Sequence, residues 1–138
     1  MPKFFTFLIV FLVSSCSIGK LTKLGVYKEL APSEYLIYLE DSTVNIIDVR
    51  TESEYIKTHI NGAVNASYFS GHFRKAIKSL ELNKSLPTLI YCETQHRSLF
   101  AAKKLYLAGY KTILDLDRGM MHWRKNGFPF VGDTVTVQ

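Results

Sequence analysis

The chain has two cysteines, Cys16 and Cys92, among 138 residues. No pair of histidines or cysteines has the spacing of a known metal site, so neither a metal nor another cofactor is expected. Glycine (8) and proline (4) are too sparse for a collagen-like or low-complexity chain, and no repeat is visible. The formal net charge is +5. The basic residues are scattered, and their nearest pairs are Arg74-Lys75, Lys103-Lys104 and Arg124-Lys125. Without a basic run or an interleaved aromatic stripe, no nucleic-acid partner is expected. The mild positive charge either steers small anions or is an ordinary solvated surface. A hydrophobic fraction of 47% with 21% charged residues fits one ordinary globular domain.

Long apolar runs are also missing. The longest, Phe4 to Val13, is interrupted only by Thr6 and is too short to cross a bilayer as a helix. Lys3 before it and Ser14-Ser15 after it give the outline of a secretory signal. Val13-Ser14-Ser15-Cys16 resembles the bacterial lipobox, in which the cysteine becomes the first mature residue and carries lipid. The expected organisation is a lipoprotein-type signal peptide over 1–15, a lipidated Cys16 with a tether over 16–25, and a folded domain over 26–138. The expected location is the bacterial cell envelope, as a membrane-anchored periplasmic lipoprotein. An ordinary signal cut near Ser15 and a buried N-terminal segment are the alternatives. Lipidation of Cys16 would leave Cys92 alone in the mature chain, with no internal disulfide possible.

The most telling segment is Cys92-Glu93-Thr94-Gln95-His96-Arg97-Ser98. It follows the apolar run Thr88-Leu89-Ile90-Tyr91 and precedes a helical run from Leu99 to Ala108. A strand thus delivers a thiol into a short loop that ends in a helix. Loop N–H groups and the helix N-terminus favour the thiolate, which is the nucleophile. Arg97 adds a permanent positive charge. Four residues separate Cys92 from Arg97, which makes a tight cradle.

This loop resembles the active-site loop of the rhodanese (sulfurtransferase) family, which reads Cys, four residues, Arg. Other pieces agree in order. Ile46-Ile47-Asp48-Val49-Arg50 with Glu54-Tyr55 resembles the family's Asp-Val-Arg segment. His59 to Ala66 resembles its Gly-His-Ile-x-Gly-Ala-x-Asn element. Leu116-Asp117-Arg118-Gly119, Trp123 and Gly127-Phe128-Pro129 resemble its closing pattern. Departures are Thr58 for Gly, Ala66-Ser67 for Ile-Pro, Arg118 for the first closing Gly, and Gln95 where many members have Gly. At that position Gln95 has to reach a bent backbone without glycine's freedom.

Along the chain, helices are expected from Pro32 to about Glu40 with Ser33 as cap, from Thr51 through Lys57, over about Gly71–Leu80, from Ser98 to Gly109, and over Met120–Asn126. Strands are expected at Val44–Val49, Pro87–Tyr91 and Thr112–Leu116, with a brief extended piece at Ala63–Asn65. The alternation implies an α/β fold with a mainly parallel sheet. The resemblance implies the rhodanese-like three-layer form, with about five strands and helices on both faces.

The resemblance implies a sulfurtransferase in which Cys92 takes a sulfane sulfur from thiosulfate or a related donor. It holds the sulfur as a persulfide and passes it to a thiol, cyanide or protein acceptor. Glu93, Thr94, Gln95, His96, Arg97 and Ser98 are the expected substrate-binding residues, Glu93 through its backbone with its side chain turned outward. His96 faces either solvent or substrate. Asp48 and Arg50 are expected to support the loop structurally. A sulfur carrier or docking module without rapid turnover is the main alternative, and a small phosphatase the lesser one.

Overall fold

A computed structural model describes residues 17–41 and 43–132. Five parallel strands form one sheet: β1 (Tyr27–Leu30), β2 (Asn45–Asp48), β3 (Val64–Asn65), β4 (Thr88–Tyr91) and β5 (Ile113–Leu116), in the spatial order β1-β5-β4-β2-β3. β4 and β5 are buried at every position, as central parallel strands must be when helices cover both faces. Register puts Asp48 of β2 beside Tyr91 of β4, and Ile90 of β4 beside Asp115 of β5. The carboxyl ends of β2, β4 and β5 therefore meet at one edge of the sheet.

Six helices flank the strands: α1 (Ser17–Lys23), α2 (Pro32–Leu39), α3 (Glu52–Lys57), α4 (Phe73–Ser79), α5 (His96–Leu107) and α6 (Gly119–Lys125), with a 3-10 turn at Tyr68–Ser70. One face of the sheet holds a core that includes Ile47, Ile90, Cys92 and Ile113, under Leu21 of α1, Ile77 of α4 and Leu105 of α5. The other holds Leu89, Tyr91 and Leu116 under Tyr35 of α2 and Trp123 of α6. The spacing of Ser98, Ala101, Ala102 and Leu105 turns one stripe of α5 to the sheet, and the two alanines let the helix approach closely. Thr51 caps α3 by accepting from the Glu54 N–H at 3.3 Å, while the Glu54 side chain accepts from the Thr51 N–H at 2.9 Å.

Charge is divided between the two faces. Helices α1 and α4 carry two and three lysines or arginines, and α5 carries Arg97, Lys103 and Lys104; none of these helices contains an acid. On the other face, α2 carries one acid, Glu34, α3 carries both signs, and α6 carries Arg124 and Lys125. Scattered in sequence, the eight cations of α1, α4 and α5 share one side in space.

Several sequence expectations are corrected. Residues 17–25, expected as a tether, contain helix α1, whose Leu21 is buried. Ile18 and Leu21 of α1 thus pack with the domain core. Strand β1 was not expected: its middle residues, Lys28 and Glu29, are exposed at the sheet edge and hide the pattern. The cap of α2 is Ala31, because Pro32 takes the first helical position, where its missing N–H costs nothing, and Ser33 follows inside. Helix α5 begins at His96, two residues before Ser98. Cys16 lies outside the described residues.

Candidate functional site

Cys92 follows directly on β4 and is 1% exposed. The chain then turns through Glu93, Thr94 and Gln95 into α5. Gln95 makes the turn in the left-handed region, at φ +74°. For a residue with a side chain this geometry is strained, and tertiary contacts hold it. Its Oε1 accepts from the Arg118 N–H at 3.2 Å, which fastens the loop after β4 to the loop after β5.

The loop carbonyls are tied away from the thiol. The Met120 N–H donates to the Cys92 carbonyl at 2.8 Å, and the Met121 N–H to that of Glu93 at 3.0 Å. This contact requires Gly119 (φ +64°), since a Cβ there would fall 2.5 Å from the Cys92 carbonyl oxygen. Among the described residues, the N–H groups of residues 93–98 donate to no other protein group. They remain free for an anion at the head of α5. Ser98, fully buried, donates to the Gln95 carbonyl at 2.9 Å, and its Oγ is 3.7 Å from Cys92 Sγ. A rotated Ser98 hydroxyl can donate to a charged sulfur.

Two arginines brace the loop. Arg97 gives both terminal nitrogens to Glu54 at 2.7 Å each. Hydrogen bonding from Arg97 lowers the Glu54 carboxyl to about 2. The Arg97 pKa is raised by the same hydrogen bonds, against some desolvation, and the nearby Cys92 pushes it the same way. Arg50 is 1% exposed. It donates to Asp48 at 2.7–3.1 Å, to Glu93 at 3.0 Å and to the Thr58 carbonyl. Burial opposes its charge, but the Asp48 contacts outweigh burial and raise its pKa. The Glu93 side chain also pairs with Arg124, so it bridges two cations instead of pointing outward as expected.

His96 and Thr94 lie on the rim, exposed, with Thr94 Oγ1 3.1 Å from His96 Nδ1. Beside them a hollow of about 240 Å³ is lined by Tyr68, Phe69, His96, Arg97 and Phe100. A larger one, about 360 Å³ between α4 and α5, shares no residue with the loop.

Two further residues near the loop, Asn65 and Asp115, support it. Asn65 donates to the carbonyls of Asp48 and Arg50 at 3.0 Å each, holding the turn after β2. Asp115 is fully buried on the same face of the sheet as Cys92, with its Oδ2 accepting from the Tyr27 hydroxyl at 2.9 Å. Burial raises its carboxyl to about 8, against the hydrogen bond from Tyr27. An acid at an inward position of the strand Ile113-Leu114-Asp115-Leu116 was the available signal.

A thiol at the carboxyl end of a central parallel strand, with free amides around it and a helix behind, defines an α/β domain with a cysteine loop at the head of a helix. The chain belongs to the rhodanese-like domain family, whose model matches residues 31–126. It is 35% identical over 83 residues to the putative sulfur carrier protein YrkF of Bacillus subtilis (strain 168), covering 60% of this chain and 43% of that protein. It is 31% identical to rhodanese-like domain-containing protein 17 of Arabidopsis thaliana, over 66% of this chain and 65% of that one. It is 28% identical to the thiosulfate sulfurtransferase GlpE of Pseudomonas entomophila (strain L48), over 79% and 93%. The chain spans less than two thirds of the first two relatives. Among solved structures, the Alr3790 protein from Anabaena sp. superposes with a TM-score of 0.67 at 26% identity, covering 77% of this chain and 94% of that one. The polysulfide-sulfur transferase homodimer from Wolinella succinogenes has the same fold (TM-score 0.66, 23% identity, 87% and 90% covered).

Proposed function

We propose that the protein is a sulfurtransferase that carries a sulfane sulfur as a persulfide on Cys92. The observation that carries this reading is the loop itself: one thiol, free amides from residues 93–98, carbonyls pinned outward by α6, and the Ser98 hydroxyl 3.7 Å from sulfur. The Cys92 thiolate attacks the outer sulfur of thiosulfate or a related donor. The S–S bond of the donor breaks, and its electron pair leaves with sulfite. The persulfide charge then sits among amides fixed before the reaction, with Arg97 close by, which is electrostatic preorganisation. A thiol or cyanide takes the outer sulfur in a second step, giving ping-pong kinetics.

The test is to treat the purified full chain with thiosulfate or inorganic polysulfide and weigh it intact. A gain of one sulfur atom is expected, reversed by a reductant and absent in Cys92→Ser. If neither donor adds sulfur, the reading fails. A second reading, a sulfur carrier that discharges only to a protein partner, is favoured by the relative named a putative sulfur carrier. A persulfide that forms but resists both cyanide and small thiols would select it.

Export with lipid on Cys16 is also proposed, on the sequence of residues 1–16. The acid-free basic helices α1, α4 and α5 support it, because α1 follows that segment and its face suits an anionic lipid surface. In a bacterial host the protein should fractionate with membranes and incorporate a labelled fatty acid. Cys16→Ser should lose both; a label that persists would rule out Cys16 as the lipid site.

A further inference from the structure

The cations around Cys92 are already occupied. Arg97 is held at both terminal nitrogens by Glu54, Arg50 by Asp48 and Glu93, and Arg124 by Glu93 again. A small inorganic dianion such as thiosulfate can use the free loop amides, but for these arginines it has to compete with carboxylates already seated. Arg97 is the one lysine or arginine, among the described residues, that lines the hollow beside the loop.

The rest of that hollow is aromatic. Phe69 and Phe100 are 69% and 63% exposed, although phenylalanine is ordinarily withdrawn from water. Neither is needed by the core. They stand around Tyr68: Phe100 is roughly parallel to it at 6.3 Å between centroids, and Phe69 meets it edge-on at 5.8 Å. The Arg97 guanidinium lies 5.7 Å from the centre of the Phe69 ring, joining the aromatic walls to the loop that holds the thiol. Aromatic walls with His96 and Arg97 at their polar edge, on the loop that carries the thiol, fit a ligand with an apolar body whose charged sulfur end the free amides of residues 93–98 can take.

We infer that this hollow binds the organic portion of the sulfur donor, and that the preferred donor is a monoanionic organic sulfane compound rather than inorganic thiosulfate. This rests on the sulfurtransferase reading above. With an aryl thiosulfonate, the ring lies between Phe69 and Phe100 while the Cys92 thiolate attacks the outer sulfur. A Cys92–sulfur bond forms, the bond between that sulfur and the sulfonyl sulfur breaks, and its electron pair departs with the aryl sulfinate. One negative charge on each reactant becomes one on each product, and neither a proton nor an external oxidant is consumed.

The experiment compares kcat/KM for benzenethiosulfonate, methanethiosulfonate and thiosulfate, with cyanide as common acceptor, in the full chain and in a Phe69→Ser/Phe100→Ser double variant. Both side chains project into water, so the variant keeps its core. Because benzenethiosulfonate is intrinsically more reactive, the deciding quantity is the change in its preference between the two proteins. The ratio of benzenethiosulfonate to thiosulfate, and that of benzenethiosulfonate to methanethiosulfonate, should each fall about tenfold or more in the double variant, as expected for the loss of two aromatic contacts. Ratios unchanged by the substitutions, or a wild-type preference for thiosulfate, would overturn the inference while leaving the sulfurtransferase reading intact. If no donor puts sulfur on Cys92, both fall together.

Discussion

Arg50 and Arg97 look alike in the sequence: each is a basic residue in a family motif with an acid to pair with. In the fold they do different work. Arg50 is sealed at 1% exposure between Asp48, Glu93 and the Thr58 carbonyl, and lies 5.5 Å from the centre of the Tyr91 ring. Arg97 sits at the edge with one partner, Glu54, and within electrostatic reach of Cys92. A buried charge with several partners cannot be removed without stranding them. A charge at the rim can be lost while its partner rehydrates. Burial, more than pairing, separates the arginine that holds the loop from the one proposed to serve the sulfur.

The comparison is broken most forcefully at Arg50. Arg50→Ala should cost about 3–5 kcal/mol of stability, because Asp48 is left buried without its counter-charge. Thermal melting should record a fall in Tm of roughly 10–20 °C. A melt within a few degrees of wild type would mean that Asp48 finds another partner. Arg97→Ala should do the converse. Stopped-flow measurement of persulfide formation should show a loss of about 100-fold, while denaturant unfolding changes by about 1 kcal/mol or less. Equal rates in the two proteins would remove Arg97 from the chemistry.

The smallest effect sharpens the contrast through pH. The Glu54 carboxyl titrates at about 2 in the fold against an ordinary 4.5. The pair's contribution is therefore whole above about pH 4.5 and is lost as pH falls toward 2. Screened at the surface, it amounts to about 1 kcal/mol. The stability gap between wild type and Arg97→Ala should close over that window, as followed by urea unfolding. A gap that persists at pH 2 would show that Arg97 stabilises by something other than this pair.

The layer order and the loop were legible because they depend on local pattern. Thr88 to Tyr91 is a continuous apolar strand, and Thr51 with Glu54 is a capping box readable at a spacing of three. Tertiary placement overrode local pattern elsewhere. Helix α1 offers only Ile18 and Leu21 to the core, between Gly19 and two lysines, and so reads as a linker. The Glu93 side chain turns inward because Arg50 and Arg124, 43 and 31 residues away, converge on it. The aromatic hollow joins Phe69 to Phe100 across a strand and a helix, and no short window contains both. The concentration of cations on one face likewise comes from three helices distant in sequence, each with an unremarkable charge of its own.

Gly119 has a consequence for how this chain tolerates mutation. Every other amino acid carries a Cβ, and at this position any Cβ collides with the backbone of Cys92 and Glu93, which cannot rotate out of the way. A saturation library at position 119 should therefore score as a flat row of losses, with alanine nearly as damaging as tryptophan. Gln95, held by side-chain contacts at a similarly unusual φ, should give a graded row instead, with glycine among the best substitutions. Two positions with the same backbone handedness would thus leave opposite signatures in a mutational scan. One is closed by space, and the other is open to any residue that accepts the bend.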